Sequence, residues 1–223
     1  MNLCFIITSC IYPSTNALTY SKIRSVFTPE ERMEQTIHTI NSIKEYCPKA
    51  YIIFTDNGLE EPVKVKTYVD CYIYIGKRPI AKIMSSTKNK SLGEWILLEY
   101  ALRKCSSKYD LIFKISGRYY LNENFHISQY NTEYFNFKYI WHGEEITGVH
   151  SVKKGDCSTR LYAVPGKRLK EYKRTLFFSI IRILFKGLPI EYAITRKIKS
   201  PINYIKTLGI SGNIAVDNDL KNE

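Results

Sequence analysis

Residues 109 to 120 read Tyr-Asp-Leu-Ile-Phe-Lys-Ile-Ser-Gly-Arg-Tyr-Tyr, an apolar run of strand length that enters a small-residue turn with Lys114 before it and Arg118 after it. Such a strand belongs inside a helix-covered sheet, where ligands gather at the carboxyl ends of the strands. Two cations therefore meet where a ligand would bind. Ser116 and Gly117 leave room for a diphosphate to approach the backbone, and Arg118 offers its oxygens a planar fork of donors.

The rest of the N-terminal half alternates strand and helix. Residues 3 to 8 form a compact apolar run ending in Thr8 and Ser9, which reads as a buried first strand opening into a ligand loop around Pro13 to Asn16. Thr28-Pro29-Glu30-Glu31 supplies an N-cap, a proline at the first helical position and a glutamate set to close a capping box. Met33, Ile37, Ile40 and Ile43 then recur on one face until Cys47-Pro48 ends the helix. Residues 50 to 55 predict a second strand, ending at Asp56-Asn57-Gly58, and residues 71 to 75 a third. Ser91-Leu92-Gly93-Glu94 predicts another capping box, opening a helix whose buried stripe is Trp95, Leu98, Ala101, Leu102 and Cys105. This alternation predicts an α/β fold: a Rossmann-type nucleotide-binding half with a mixed sheet, then a less regular acceptor-side C-terminal half. No linker separates the halves, so residues 1–223 read as one domain, with 1–120 on the nucleotide side and 121–223 on the acceptor side.

In the second half, residues 134 to 141 and 159 to 164 read as strands, and residues 208 to 219 as a glycine-punctuated turn or strand followed by a frayed tail. Residues 174 to 198 combine Phe177, Phe178, Ile180, Ile181, Ile183, Leu184 and Phe185 with Arg174, Arg182, Lys186, Arg196 and Lys197. Two readings stand open there: an interfacial helix giving peripheral contact with a membrane, and a core helix with cationic flanks.

Composition narrows the partner. A net charge of +12 favours an anionic one, but Lys and Arg are dispersed and accompany no helix-turn-helix, zinc-finger or RNP-like pattern, which argues against nucleic acid. The six cysteines show no Cys-x-x-Cys and no zinc-ligand spacing, and they read as free thiols suited to a reducing cytoplasm. Absence of Gly-x-Gly-x-x-Gly and of a Walker sequence argues against dinucleotide oxidoreductases and P-loop enzymes.

The segment Lys114-Ile-Ser-Gly-Arg-Tyr119 resembles the signature of a family of small GT-A-like glycosyltransferases from surface-polysaccharide gene clusters. Further stretches resemble that family in the same order: Thr19 to Arg32, Asn89 to Glu94, and Thr159 to Pro165. The resemblance implies a GT-A-like hexosyltransferase that moves a sugar from a nucleotide-sugar donor to a glycan or lipid-linked acceptor, in capsule or lipopolysaccharide synthesis. Many GT-A enzymes hold a divalent metal (Mn or Mg) on an Asp-x-Asp after the fourth strand. Here Lys-Ile-Ser-Gly-Arg stands at that place, so Lys114 and Arg118 are expected to take over part of the metal's charge compensation. The alternative is that Lys114 pairs with a buried carboxylate and Arg118 braces a loop.

On the nucleotide side the expected residues are Thr8, Ser9, Arg24, Asp56, Lys90, Glu94, Lys114, Ser116, Gly117 and Arg118, with Asp56 equally well explained as a turn residue and Glu94 as a cap. An inverting transfer needs a carboxylate to deprotonate the acceptor hydroxyl. Asp217, Glu144, Glu145 and Asp156 are the expected bases, and Asp217-Asn218-Asp219 is the one formal Asp-x-Asp. Competing functions are a sugar-phosphate nucleotidyltransferase, disfavoured by the lack of a glycine-rich loop after the first strand, and a non-catalytic basic protein that binds membranes or nucleic acid through charge.

Overall fold

Cys4 to Ile7 are apolar without interruption, so the first strand, β1 (Leu3–Ser9), is buried on both faces at the centre of the sheet. A computed structural model describes residues 1–140, 146–151, 156–214 and 220–223. Helix α1 (Pro29–Tyr46) follows β1, and its predicted capping box is complete: the Glu31 amide donates to Thr28 Oγ1 (3.2 Å) and the Thr28 amide to Glu31 Oε2 (2.7 Å). Then come β2 (Tyr51–Asp56), β3 (Cys71–Tyr74), α2 (Pro79–Ser86), α3 (Lys90–Leu102) and β4 (Leu111–Ser116).

Strands β3, β2, β1 and β4 lie side by side in that order, all parallel. The chain builds outward from β1 through β2 to β3 and then crosses back to place β4 on the other side of β1. The order thus reverses between β1 and β4, and their carboxyl ends, Thr8 paired with Ser116, flank the crevice created by the reversal. Side chains alternate between two cores. Phe5, Ile7, Phe54 and Phe113 pack with Met33, Ile40 and Ile43 of α1, while Cys4, Ile6, Ile53 and Ile112 pack with Trp95, Leu98 and Ala101 of α3.

Beyond β4 the sheet becomes mixed, as expected. β8 (Leu161–Pro165) pairs antiparallel with β4, and β6 (Phe135–Phe137), β9 (Ile202–Tyr204) and β7 (Gly148–His150) extend the same sheet outward. Helices α4 (Leu169–Lys186) and α5 (Ile190–Thr195) cover its α3 side, where the Trp95 indole donates to the Leu176 carbonyl at 2.7 Å. A second, three-stranded sheet joins β5 (Tyr119–Leu121), β10 (Ile210–Asn213) and β11 (Leu220–Asn222).

Three expectations need correcting. Residues 220 to 223 are not a frayed end: β11 pairs with β10, and the Ile210 and Glu223 backbones exchange hydrogen bonds of 2.9 Å in both directions. Ser91 is not the cap of α3. Asn89 caps it, with its side chain accepting from the Ser91 amide at 3.0 Å, while Ser91 Oγ accepts from the Ile190 amide on α5. Glu94 is therefore not a capping partner and is free to pair elsewhere. Finally, α4 is neither wholly core nor wholly exposed. It buries Leu169, Tyr172, Leu176 and Ile183 and leaves Phe177, Ile181, Leu184 and Phe185 in solvent.

Candidate active site

The crevice between β1 and β4 is a cleft open to solvent at its mouth. Thr8 and Ser9 line it from β1, Ser116, Gly117 and Arg118 from the end of β4 and the turn after it, and Lys90, Gly93 and Glu94 from the start of α3. Arg24 and Arg32 close it from the segment after β1 and from α1. It continues into a second basin that shares Lys90, Glu94, Ser116 and Arg118 and adds Tyr20, Ser91, Thr159, Arg160, Glu191 and Ile214.

Arg118 dominates the electrostatics. Nη1 of its guanidinium is buried and has no hydrogen-bond partner among the described residues, while the residue as a whole is partly exposed to the cleft. Burial, and then the charge of Arg32, lower its pKa to about 10. Lys90 is pushed the same way, to about 7, by burial first and Arg118 second. The Lys90 side chain still meets the water of the cleft, which limits how far that shift can go. Like charges lowering one another's pKa, beside a guanidinium with an unmet donor, mark a site completed by an anion. The amino terminus of α3, with Lys90 as its first residue, adds the positive end of a helix dipole.

Lys114 does not belong to this set. Its ammonium is 2% exposed and donates to Glu94 Oε1, to Ser116 Oγ (2.9 Å) and to the Thr159 carbonyl (2.5 Å). Three acceptors use its three donors, so the pairing with a buried carboxylate is the alternative that holds. Lys114 is a positioning residue that fixes Glu94 on the cleft wall.

The backbone of the turn is also engaged. The amides of Ser116, Gly117 and Arg118 donate to the carbonyls of Arg160, Thr8 and Ser116 at 3.0, 3.0 and 2.8 Å. A diphosphate would therefore meet the Arg118 side chain instead of free backbone amides. Gly117 is tightly packed: a Cβ there would lie 3.1 Å from Thr36 Oγ1, so neighbouring side chains would have to give by a few tenths of an ångström.

Asp56 stands behind the cleft, fully buried. Its Oδ2 accepts from the Ile11 amide (2.9 Å) and its Oδ1 from the Gly58 amide (2.7 Å), so it locks the turn and offers nothing to a ligand. Burial raises its pKa to about 6 against the pull of those amides. Its neighbour Asn57 lines the cleft instead and donates to the Gly93 carbonyl at 3.0 Å. Arg24 lines the cleft while donating to the carbonyls of Asn16 (Nε, 2.8 Å) and Thr87, bracing two loops of its rim.

Among the expected bases, Glu144, Glu145 and Asp217 lie outside the described residues. Asp156 sits beside the Tyr139–Cys157 bridge, with its carbonyl accepting from the Ile140 amide, and it is not among the residues lining the cleft. Ile214, just past β10, lines the second basin.

Sequence reading missed Glu191 and Arg32. Glu191 accepts a hydrogen bond from Thr159 Oγ1 (2.9 Å), and its pKa is raised by burial first and by the charge of Glu94 second. It stands 97 positions beyond Glu94 in the chain, and no local pattern announces it. Arg32 is 8% exposed and donates to the Cys10 carbonyl (2.8 Å) and Ser25 Oγ (3.0 Å). It shares the buried face of α1 with Met33, Thr36, Ile40 and Ile43, and no local sequence pattern sets it apart.

No family model and no curated protein matches the chain. Among solved structures it is similar to the galactosyltransferase LgtC, solved in complex with donor and acceptor sugar analogs, at 10% identity and a TM-score of 0.49, covering 92% of this chain and 73% of that one. So distant a likeness leaves the chemistry to be read from the side chains themselves.

Proposed function

We propose that the protein is a glycosyltransferase that takes a sugar from a nucleoside-diphosphate donor and passes it to a hydroxyl of a glycan or lipid-linked acceptor. The carrying observation is the enclosed, unpartnered Nη1 of Arg118 at the strand-order reversal, grouped with Arg32, Lys90 and Arg24. In this reading the diphosphate lies against Arg118 and the amino terminus of α3, which meet the charge that develops as the bond from C1 to the phosphate oxygen breaks. The acceptor occupies the second basin. Its hydroxyl gives its proton to the Glu191 carboxylate as its oxygen bonds to C1, and the bonding electrons leave with the nucleoside diphosphate. Glu94, held by Lys114, raises the basicity of Glu191. The finer setting, surface-polysaccharide synthesis in the cytoplasm, rests on the sequence resemblance.

A divalent metal would supply the same charge compensation. The cleft residues suit it poorly, because Arg118, Arg32 and Lys90 repel a cation, and no group of three His, Cys, Asp or Glu among the described residues is arranged to hold one. Asp217-Asn218-Asp219 lies outside those residues.

The test is a thermal-shift screen against UDP, GDP, CMP and dTDP, with EDTA or manganese, on wild type and Arg118→Ala. A diphosphate-specific shift that survives EDTA and disappears in Arg118→Ala supports the reading. No shift with any nucleotide in either metal condition overturns it in favour of a non-catalytic basic protein.

A further inference from the structure

Helix α4 exposes five large apolar side chains along a single face. Phe177 is 58% exposed, Phe178 39%, Ile181 50%, Leu184 53% and Phe185 83%. Their spacing of three and four residues keeps them together over the last turns of the helix, opposite the buried Tyr172, Leu176, Ser179 and Ile183. A stripe of this size is not an ordinary solvated surface.

Its surroundings are cationic. Lys170 and Arg174 continue the face toward the amino end, and with Phe178, Lys197 and Lys199 they line a groove beside it. Among the described residues, no ion pair engages any of these four cations. The one acid in α4, Glu171, is occupied: its oxygens accept from Ser200 Oγ (2.7 and 2.6 Å) and from Arg168 Nη1 (3.2 Å). Among the described residues, the positive charge around the apolar face thus has no ion-pair partner, although Glu171 lines the same groove.

A second copy of the chain is a poor occupant, because a symmetric contact through this face would oppose its own cations. A bilayer with anionic headgroups meets both halves of the surface. No helix among the described residues is long and apolar enough to cross a membrane, which leaves α4 to lie in the interfacial plane.

We propose that this face of α4 seats the protein on an anionic phospholipid bilayer, the five apolar side chains entering the interface and Lys170, Arg174, Lys197 and Lys199 meeting lipid phosphates. The face ends at Gly187, in a left-handed conformation (φ 62°), and the next residues, Pro189 and Glu191, form the wall of the acceptor basin. Asn89 Nδ2 donates to the Ile183 carbonyl (3.4 Å), tying this end of α4 to the start of α3 at the cleft. Docking therefore holds the acceptor basin beside the membrane surface. The proposal is independent of the chemistry assigned to the cleft.

The test is co-sedimentation of the full chain with phosphatidylcholine vesicles, with and without phosphatidylglycerol. Three proteins are compared: wild type, Phe177→Ser/Ile181→Ser/Phe185→Ser, and Lys170→Glu/Lys199→Glu. All altered side chains lie outside the cleft, so circular dichroism and the nucleotide thermal shift of each variant should match wild type. Expected is binding only to phosphatidylglycerol vesicles, weakened by salt. The serine variant should lose about tenfold or more, and each reversed lysine about fivefold or more. Absence of vesicle binding, or binding unaffected by the serine substitutions, would overturn the proposal. So would concentration-dependent dimerisation abolished by those substitutions without a change in vesicle binding, which would assign the face to a second copy.

Discussion

Lys114 and Glu94 form an ion pair at the wall of the cleft, with the ammonium 2% and the carboxylate 19% exposed. The lysine sits on the central strand β4 and the glutamate at the start of the second turn of α3, so the pair ties the sheet to the helix whose amino terminus faces the cleft. Lys114→Met should strand the Glu94 carboxylate and cost about 3–5 kcal/mol. The double variant Lys114→Met/Glu94→Gln should recover much of that loss. Urea unfolding of the four proteins of this cycle measures it, and additive losses would show that the two side chains do not stabilise one another.

Lys90 predicts how donor binding varies with pH. Its pKa is lowered by burial, by Arg118 and by Arg32, against the opposing pull of Glu94 and Glu191, and contact with the water of the cleft limits the shift. The cation is therefore lost, and affinity for an anion should fall, as pH rises through a range below that of an ordinary lysine. A nucleotide sugar is the right probe, because a free terminal phosphate titrates near pH 6 itself. The loss should reach about tenfold, the worth of one charged hydrogen bond. Lys90→Arg, charged throughout, should flatten the dependence in calorimetric titrations.

Glu191→Gln should lower the transfer rate about 10²–10⁴-fold while leaving the nucleotide thermal shift intact. The base works as the carboxylate, and its pKa is raised, so the wild-type rate should drop on the acid side at a pH above the ordinary glutamate range. Thr159→Val removes a hydrogen bond that favours the ionised form and should move that acid limb to higher pH. A pH–rate profile identical in wild type and Thr159→Val would remove Glu191 from the role.

Gly212 fixes how closely β10 approaches the turn that carries Arg118. A Cβ there would lie 2.3 Å from the Arg118 carbonyl oxygen and 2.9 Å from Tyr119 Cα. Gly212→Ala should cost about 1–3 kcal/mol, the usual scale of overpacking, and should also weaken the nucleotide shift because the backbone of Arg118 must move. Urea unfolding and the nucleotide thermal shift, measured on the same preparation, report both effects.

Local chemistry carried the N-terminal half. The capping box at Thr28 and Glu31 needs only a short stretch of chain, and the largely apolar runs of β1, β2 and β4 show themselves without any partner. The same reasoning failed at Ser91-Leu92-Gly93-Glu94, which has the form of a capping box and is not one. Asn89 was an equally good cap two positions earlier, and tertiary partners, Ile190 for Ser91 and Lys114 for Glu94, claimed the two side chains.

The sequence by itself determined that a buried strand would end in a cationic turn and that the fold would alternate strand and helix around it. Only the tertiary structure decided which cation faces the cleft. Lys114 and Arg118 are four residues apart, but Lys114 lies within β4, where α3 and the Thr159 carbonyl surround its ammonium, whereas Arg118 lies past the end of the strand with a guanidinium donor left unmet. The acceptor-side carboxylate was likewise decided by folding, since Glu191 reaches the cleft only once α5 has packed against α3. Strand and cap signals are written in neighbouring residues; the pairing of charges depends on which distant groups share a desolvated space, and chain folding alone creates that space.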